Sequence, residues 1–256
     1  MIFFPGLHQP SDAQHFDRAF ISVNRLRGRS SDFTVRDWIM DSGAFTEVAR
    51  HGGYRHGVER YAFDIGRWSR CGNLLAAAAQ DYMCEPFVIA RTGLDLATHQ
   101  RLTIERYDAL LGCDPHTYIL PALQGYAPAD YVRHVDAYGQ RLAAGAWVGV
   151  GSICKRNASV GSVEAVLRAI RGVRPDLRLH GFGLKITALQ SDAVRHALYS
   201  ADSMAWSFNA RMQGRNANDW REAARFERRV STSPTQRSLL DMSHPEMAIG
   251  AQRRIA

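Results

Sequence analysis

Cysteine is sparse and scattered in this chain. The four residues at 71, 84, 113 and 154 stand alone, with no C-x-x-C or C-x-C pair of the kind that builds a zinc site. Separate, reduced thiols are therefore expected, with no bound metal and no other cofactor. No H-x-H or paired-histidine spacing occurs either, which sets aside a metal-dependent barrel hydrolase. No stretch approaches the ~18 to 20 uninterrupted apolar residues that a membrane span needs. The opening Met1-Ile2-Phe3-Phe4-Pro5 has no basic segment followed by a long apolar one, so a cytoplasmic protein is expected. Lysine is also nearly missing: of 32 basic residues, only Lys155 and Lys185 are not arginine. Arginine's planar fork suits phosphates and base edges, and a G+C-rich genome produces the same bias, so both explanations stand.

What is present is a large apolar fraction and an excess of positive charge. With 256 residues, 46% of them hydrophobic, the chain can bury a sizeable core and fits one large α/β domain better than two small ones. A net charge of +7 and a pI near 9.5 attract polyanions, and nucleic acid is the leading partner class.

Short apolar runs alternate with amphipathic stretches along the chain, the pattern of a βα repeat and a parallel sheet. Strands are expected at Ile2 to Pro5, Phe20 to Asn24, Trp38 to Asp41, Ala77 to Tyr82, Tyr118 to Gln124, Trp147 to Gly151, Leu179 to Gly183 and Ser203 to Trp206. Helical periodicity is clearest in Ala97 to Leu111, Ala129 to Leu142, Ser162 to Gly172 and Ser191 to Tyr199. The expectation is a single α/β domain over residues 1–256, a (β/α)8 TIM barrel. Its first units are irregular, an insertion lies near residues 52–69, and a basic tail starts at about 212, helix-like from Asn218 to Val230. In such a barrel, function sits on the loops after the strands.

Two aspartates stand where an apolar run meets small residues: Asp41 in Trp38-Ile39-Met40-Asp41-Ser42-Gly43-Ala44-Phe45, and Asp202 in Ser200-Ala201-Asp202-Ser203-Met204. A carboxylate pair at neighbouring strand ends can supply a nucleophile and an acid/base for chemistry at a sugar's anomeric carbon. Gln80-Asp81-Tyr82-Met83-Cys84-Glu85 offers two carboxylates able to accept from guanine's ring N–H and amine, and Gln124 an amide for its six-position oxygen; Asp81 capping a helix and Gln124 satisfying backbone is the structural alternative. Gly149 and Gly151, before Ser152, let backbone N–H groups approach a ligand, or simply mark a tight turn. His180 either orients a carboxylate, touches phosphate, or is satisfied by backbone. Arg25 and Arg27 after the second strand, Lys155 and Arg156 after the sixth, and Arg211 and Arg215 after the eighth form three basic clusters able to hold a phosphate backbone, or a solvated rim. Trp206 and Phe208 beside Asp202 stack on a base or belong to the core.

In order, Asp-Ser-Gly-Ala-Phe at Asp41, the Asp81 motif, Leu-Gln-Gly at Gln124, Gly-Val-Gly-Ser at Gly149, His-Gly-Phe-Gly at His180 and Ala-Asp-Ser at Asp202 resemble the landmarks of the queuine and archaeosine tRNA-guanine transglycosylase superfamily. The resemblance covers about residues 37–211. It implies Asp202 as nucleophile, Asp41 as acid/base, and Asp81, Gln124 and the Gly149 to Ser152 backbone as base-reading groups. The tRNA enzymes carry a C-terminal zinc site, whereas no cysteine follows Cys154 here. The wording Gln-Asp-Tyr-Met-Cys-Glu-Pro, Val-Gly-Ser-Ile-Cys-Lys-Arg and Asp-Ser-Met-Ala-Trp-Ser is more similar to the DNA 7-deazaguanine transglycosylases of phages and bacterial modification clusters. That resemblance implies DNA as the polymer, a free 7-deazaguanine such as preQ0 as the second substrate, double displacement through a glycosyl-aspartate, and the host cytoplasm if the chain is phage-encoded. A tRNA-specific enzyme and a catalytically dead barrel that binds nucleic acid remain alternatives.

Overall fold

The computed structural model describes residues 1–154 and 159–232. Nine short strands occur among them: β1 (Ile2–Pro5), β2 (Arg18–Ser22), β3 (Asp37–Asp41), β4 (Asn73–Ala78), β5 (Ile119–Leu120), β6 (Ala122–Leu123), β7 (Trp147–Val150), β8 (Arg178–Gly181) and β9 (Ser200–Ser203). Every paired neighbour is parallel. One sheet has the order β1-β9-β8-β7-β6 and the other β2-β3-β4-β5. Parallel neighbours need long crossovers, and helices supply them: α1 (Ala44–His51), α2 (Val58–Trp68), α3 (Pro86–Thr92), α4 (Leu96–Gly112), α5 (Pro128–Tyr138), α6 (Val160–Val173), α7 (Ile186–Leu189) and α8 (Asp192–Ala197). After β9 come α9 (Ala205–Met212) and α10 (Trp220–Thr232). The α/β class with parallel sheets agrees with the periodicity of the sequence.

The two sheets meet at both margins. Pro121 has no N–H to give a ladder, and the chain changes sheets there. Leu120 pairs with Ala78 of β4, while Ala122 pairs with Gly149 of β7. At the other margin Gly6 bridges Phe20 in parallel, with the Leu7 N–H donating to the Phe20 carbonyl at 3.0 Å.

Side chains alternate along the strands between two cores. Trp38 and Met40 join the main apolar cluster under the helices, whereas Ile39 joins a second cluster with Phe4, Phe20, Ala76, Leu120 and Trp147. That second cluster draws on six strands from both sheets. The helices bury apolar stripes at helical spacing, such as Val163, Val166, Leu167 and Ile170 of α6. Asp95 caps α4 by accepting from the Thr98 N–H at 2.7 Å. Among the described residues, no helix is long and apolar enough to cross a membrane.

Three expectations change. The fourth strand is Asn73–Ala78 rather than Ala77 to Tyr82, so Gln80 to Glu85 leave the sheet. The last is Ser200–Ser203 rather than Ser203 to Trp206, and Trp206 lies in α9. A run of small residues gives little hydrophobic contrast, which hid both boundaries. Residues 52–69, expected as an insertion, contain α2, whose Tyr61, Ile65 and Trp68 are buried in the main core. The basic tail, expected to be helix-like from Asn218 to Val230, does form α10, which buries Ala223, Phe226 and Val230.

Candidate active site

Because the strands are parallel, their C-terminal ends share one side of the sheets, and the expected chemistry-bearing residues gather there. Asp41 ends β3, Asp202 is the third residue of β9, His180 the third of β8, Gln124 follows β6, and Gly151-Ser152 follows β7. Asp81 stands just beyond β4. The Gln124 amide donates to Asp81 Oδ2. Ser152 Oγ lies 2.7 Å from Gln124 Oε1 and 2.8 Å from Glu85 Oε2, and it accepts from the Cys84 N–H at 2.8 Å. The one Ser152 hydroxyl proton serves either acceptor, not both at once. Ser152 is held at a φ of 54°, a left-handed conformation that costs a non-glycine residue on the order of 1 kcal/mol. The surrounding bonds hold it there.

Gly149 and Gly151 act differently from the expectation. Their N–H groups donate to the carbonyls of Pro121 and Leu123, at 2.8 and 2.9 Å, within the sheet. What the site uses is the missing side chain. A Cβ at Gly151 would collide with the Gln124 amide, and one at Gly149 with the ring of Phe182. Phe182 in turn packs edge-on against His180 at 4.9 Å between centroids, and Phe20 stacks on the same imidazole at 5.7 Å.

This aromatic box fixes His180 between two oxygens. Its Nε2 is 3.2 Å from Asp202 Oδ1, and its Nδ1 is 2.9 Å from Ser200 Oγ. Trp147 Nε1–H, which can only donate, gives its proton to the same Ser200 Oγ at 2.9 Å. An ionised Asp202 accepts only, so Nε2 carries the proton, and a neutral ring leaves Nδ1 to accept the Ser200 hydroxyl. Trp147, Ser200 and His180 then form donors in series, all directed at Asp202. The Gly183 N–H adds a second bond to Oδ1 at 3.0 Å. Both of these bonds fall on Oδ1; among the described residues, Asp202 Oδ2 has no hydrogen-bond partner.

Asp41 meets a different environment. Its Oδ2 accepts from the Gly43 N–H at 3.1 Å. Burial raises its pKa to about 6, the Ser22 hydroxyl working against this and the charge of Asp202 adding to it. Asp81 is raised further, to about 7, first by burial and then by the charge of Asp41. Asp41 thus senses the charge of Asp202, and Asp81 that of Asp41, with both pKa values raised towards neutrality.

Sequence reasoning missed several supports. Tyr54 donates to the Asp81 carbonyl at 3.0 Å and lies 3.4 Å from Ser42 Oγ, yet it stands in an irregular segment with no motif around it. Trp147 read as a strand residue only, and Ser200 only as the start of the Asp202 motif. Glu85 was visible within its motif, but its bond to Ser152 required the fold.

The basic residues divide. Arg25 is exposed and its guanidinium lies 3.0 Å from His8 Nδ1. Arg27 is largely enclosed, bonding Asp64 at 3.2 Å and Asn24 at 2.8 Å with Glu47 at 3.7 Å. Arg211 is exposed and lies over the Phe208 ring at 5.4 Å. Arg215 pairs with the buried Glu222 at 2.6 Å. Lys155 and Arg156 lie outside the described residues. Among the described residues, no cluster of three or more His, Cys, Asp or Glu is placed to hold a metal ion.

A family model for DpdA, described as DeoxyPurine in DNA protein A, matches residues 2–219. The chain belongs to the DpdA family. Membership covers β1 to β9 and the residues of the carboxylate site, and it implies a transglycosylase that modifies DNA. It agrees with the motif resemblance to DNA 7-deazaguanine transglycosylases, which rested on the narrower span of residues 37–211. Comparison with curated proteins gave no match.

Proposed function

We propose that this DpdA-family protein exchanges guanine in DNA for a free 7-deazaguanine such as preQ0, by double displacement on an aspartate. The observation that carries this reading is the division of labour between Asp202 and Asp41. One carboxylate is fixed by His180 and Gly183 on a single oxygen, and the other is poised to exchange a proton near neutral pH. Asp202 Oδ2 attacks C1′ of the target deoxyguanosine. The C1′–N9 bond breaks, its electron pair goes to the base, and Asp41 in its acid form protonates the leaving guanine. In the second half, the Asp41 carboxylate takes the N9 proton of the incoming deazaguanine. N9 attacks C1′, the glycosyl ester breaks, and Asp202 is regenerated with sugar configuration retained. Asp81, Glu85, Gln124 and Ser152 line the place where a guanine edge would be read.

The same reading treats the two sheets as arcs of one (β/α)8 barrel in which β5 and β6 are a single strand broken at Pro121. The contacts at both margins and the second core drawn from both sheets support it. Barrel loops are where such a site belongs. The test is base exchange with labelled guanine offered against DNA and against tRNA. Label entering DNA alone supports the proposal; label entering tRNA alone replaces the polymer; none in either leaves a nucleic-acid binder without turnover.

A further inference from the structure

Behind Gln124 stand two helices whose polar side chains the chemistry above does not use. Gln124 follows β6, a strand of only two residues, so the sheet has little ladder left with which to fix it. Side chains take its backbone groups instead. The Gln124 N–H donates to His134 Nδ1 of α5 at 2.8 Å, and its carbonyl accepts from the Gln100 amide of α4 at 2.7 Å. Accepting at Nδ1 leaves the neutral ring its proton at Nε2, which lies 3.1 Å from the Gln100 carbonyl. The same Gln100 amide reaches the Asp130 carbonyl at 2.9 Å. Strand end, α4 and α5 are thereby joined in one network, and both His134 and Gln100 are buried. Burial pushes the His134 pKa down to about 4, so the ring remains an acceptor where Asp41 and Asp81 titrate.

α5 turns one polar-tipped face to the strands. Tyr131, His134 and Tyr138 recur at intervals of three and four. Tyr131 donates to the Gly151 carbonyl at 2.8 Å and Tyr138 to the Ala122 carbonyl at 3.2 Å. Gly125 lets the chain come this close, because a Cβ there would stand 2.8 Å from Asp130 Cβ and 2.9 Å from the Tyr131 ring. In front, the Gln124 amide donates to Asp81, its Oε1 lies 2.7 Å from Ser152 Oγ, and no side chain fits at Gly151. An amide confined in this way is placed by its backbone. We propose that His134 and Gln100 are positioning residues, a clamp that sets the Gln124 amide where it can select a purine carrying a six-position oxygen. This assignment rests on the reading of Gln124 as a base-edge group.

The test uses two substitutions that divide the imidazole. His134→Asn keeps an acceptor where Nδ1 stands, and His134→Gln keeps a donor where Nε2 stands. Binding of guanine and of 2-aminopurine, which lacks the six-position oxygen, is measured on the full chain, with exchange kinetics alongside. His134→Gln is expected to weaken guanine about tenfold and to leave 2-aminopurine within about twofold of wild type. KM for guanine should rise by a similar factor with kcat retained, whereas lost folding would lower kcat at constant KM. His134→Asn should behave as wild type towards both purines. Gln100→Met keeps the volume and removes the donor to the Gln124 carbonyl; it should reproduce the selective loss, and it reads the same clamp if His134→Gln does not fold. Equal weakening of both purines, equal behaviour of the Asn and Gln variants, or unchanged guanine affinity in His134→Gln and Gln100→Met would overturn the clamp. Gln124→Ala separates the two levels. If it binds guanine as wild type does, the base-edge reading itself fails; if it alone loses guanine selectively, the clamp fails and that reading stands.

Discussion

Two groups of buried carboxylates lie in the same stretch of sequence and behave in opposite ways. Glu47 and Asp64 face arginines: Arg55 chelates Glu47 through bonds of 2.8 and 3.1 Å, Arg27 reaches both acids, and Arg60 adds to Asp64. Hydrogen bonding from Arg55 pulls Glu47 down to about 2 despite burial. Asp41 and Asp81 face other carboxylates and neutral dipoles, and burial raises them to about 6 and 7. Glu47 is thus held as a charge, whereas Asp41 and Asp81 are pushed towards their acid forms. The difference is whether a guanidinium is within reach.

The strongest way to break the contrast is to remove the carboxylate whose charge Asp41 senses. Asp202→Asn is expected to lower base exchange at least about a thousandfold with the fold retained, measured as labelled-guanine incorporation with circular dichroism alongside. Near wild-type exchange would end the nucleophile assignment. Next comes the arginine side. Arg27→Met removes a cation shared by two buried acids and should cost about 2 to 4 kcal/mol in denaturant unfolding. The salt slope of DNA binding should stay unchanged, in contrast to the phosphate contact expected for Arg27 from its position in the sequence.

A third experiment reverses the sign of a stability effect. The fold favours the acid form of Asp81, so between about pH 4 and 7 the folded protein holds a proton that the unfolded chain has released. Stability from this group falls as pH rises through that window, and the full penalty is present above 7. Asp81→Asn should therefore stabilise the protein by roughly 2 kcal/mol at pH 8, the gain shrinking towards pH 4. Glu47→Gln should do the opposite: Glu47's depressed pKa contributes stability above its ordinary range that is lost as pH falls towards 2. The smallest effect is expected from Ser200→Ala, which interrupts the donors from Trp147 to His180. About a tenfold loss in kcat with KM for DNA unchanged, together with a shifted pH profile, would mark it as a positioning residue; a change confined to thermal stability would make it packing only.

The difference between the two acidic groups was only half legible in the sequence. Asp41 and Gln124 were legible because each sits where an apolar run ends, and strand ends in a parallel sheet share one side by geometry; Asp81, His180 and Asp202 were legible as members of an ordered set of motifs, although the strands at Asp81 and Asp202 were misplaced. Arg27 looked the same as Arg25 on that basis, since spacing along a chain does not reveal which acids the fold will bring beside a guanidinium. Tyr54, Ser200 and Trp147 were hidden for the same reason, each acting through a partner distant in sequence: Asp81 for Tyr54, and His180 and Trp147 for Ser200. The helix in the tail after Arg211 was legible, but not what it packs against: Ala223, Phe226 and Val230 place α10 in the core.

The change of sheets at Pro121 gives the site an additional property. Asp41 and Asp81 hang from the four-stranded sheet, while Asp202, His180, Gln124 and Ser152 belong to the five-stranded one. Burial first, and then the charge of Asp202, raise Asp41, and both depend on how closely the seam is seated. If the sheets part, Asp41 is expected to become more acidic; if they tighten, less so. Carbon-13 titration of that one carboxyl group would report, in an intact protein and without any attached probe, how closely the two halves are seated as DNA is loaded and released.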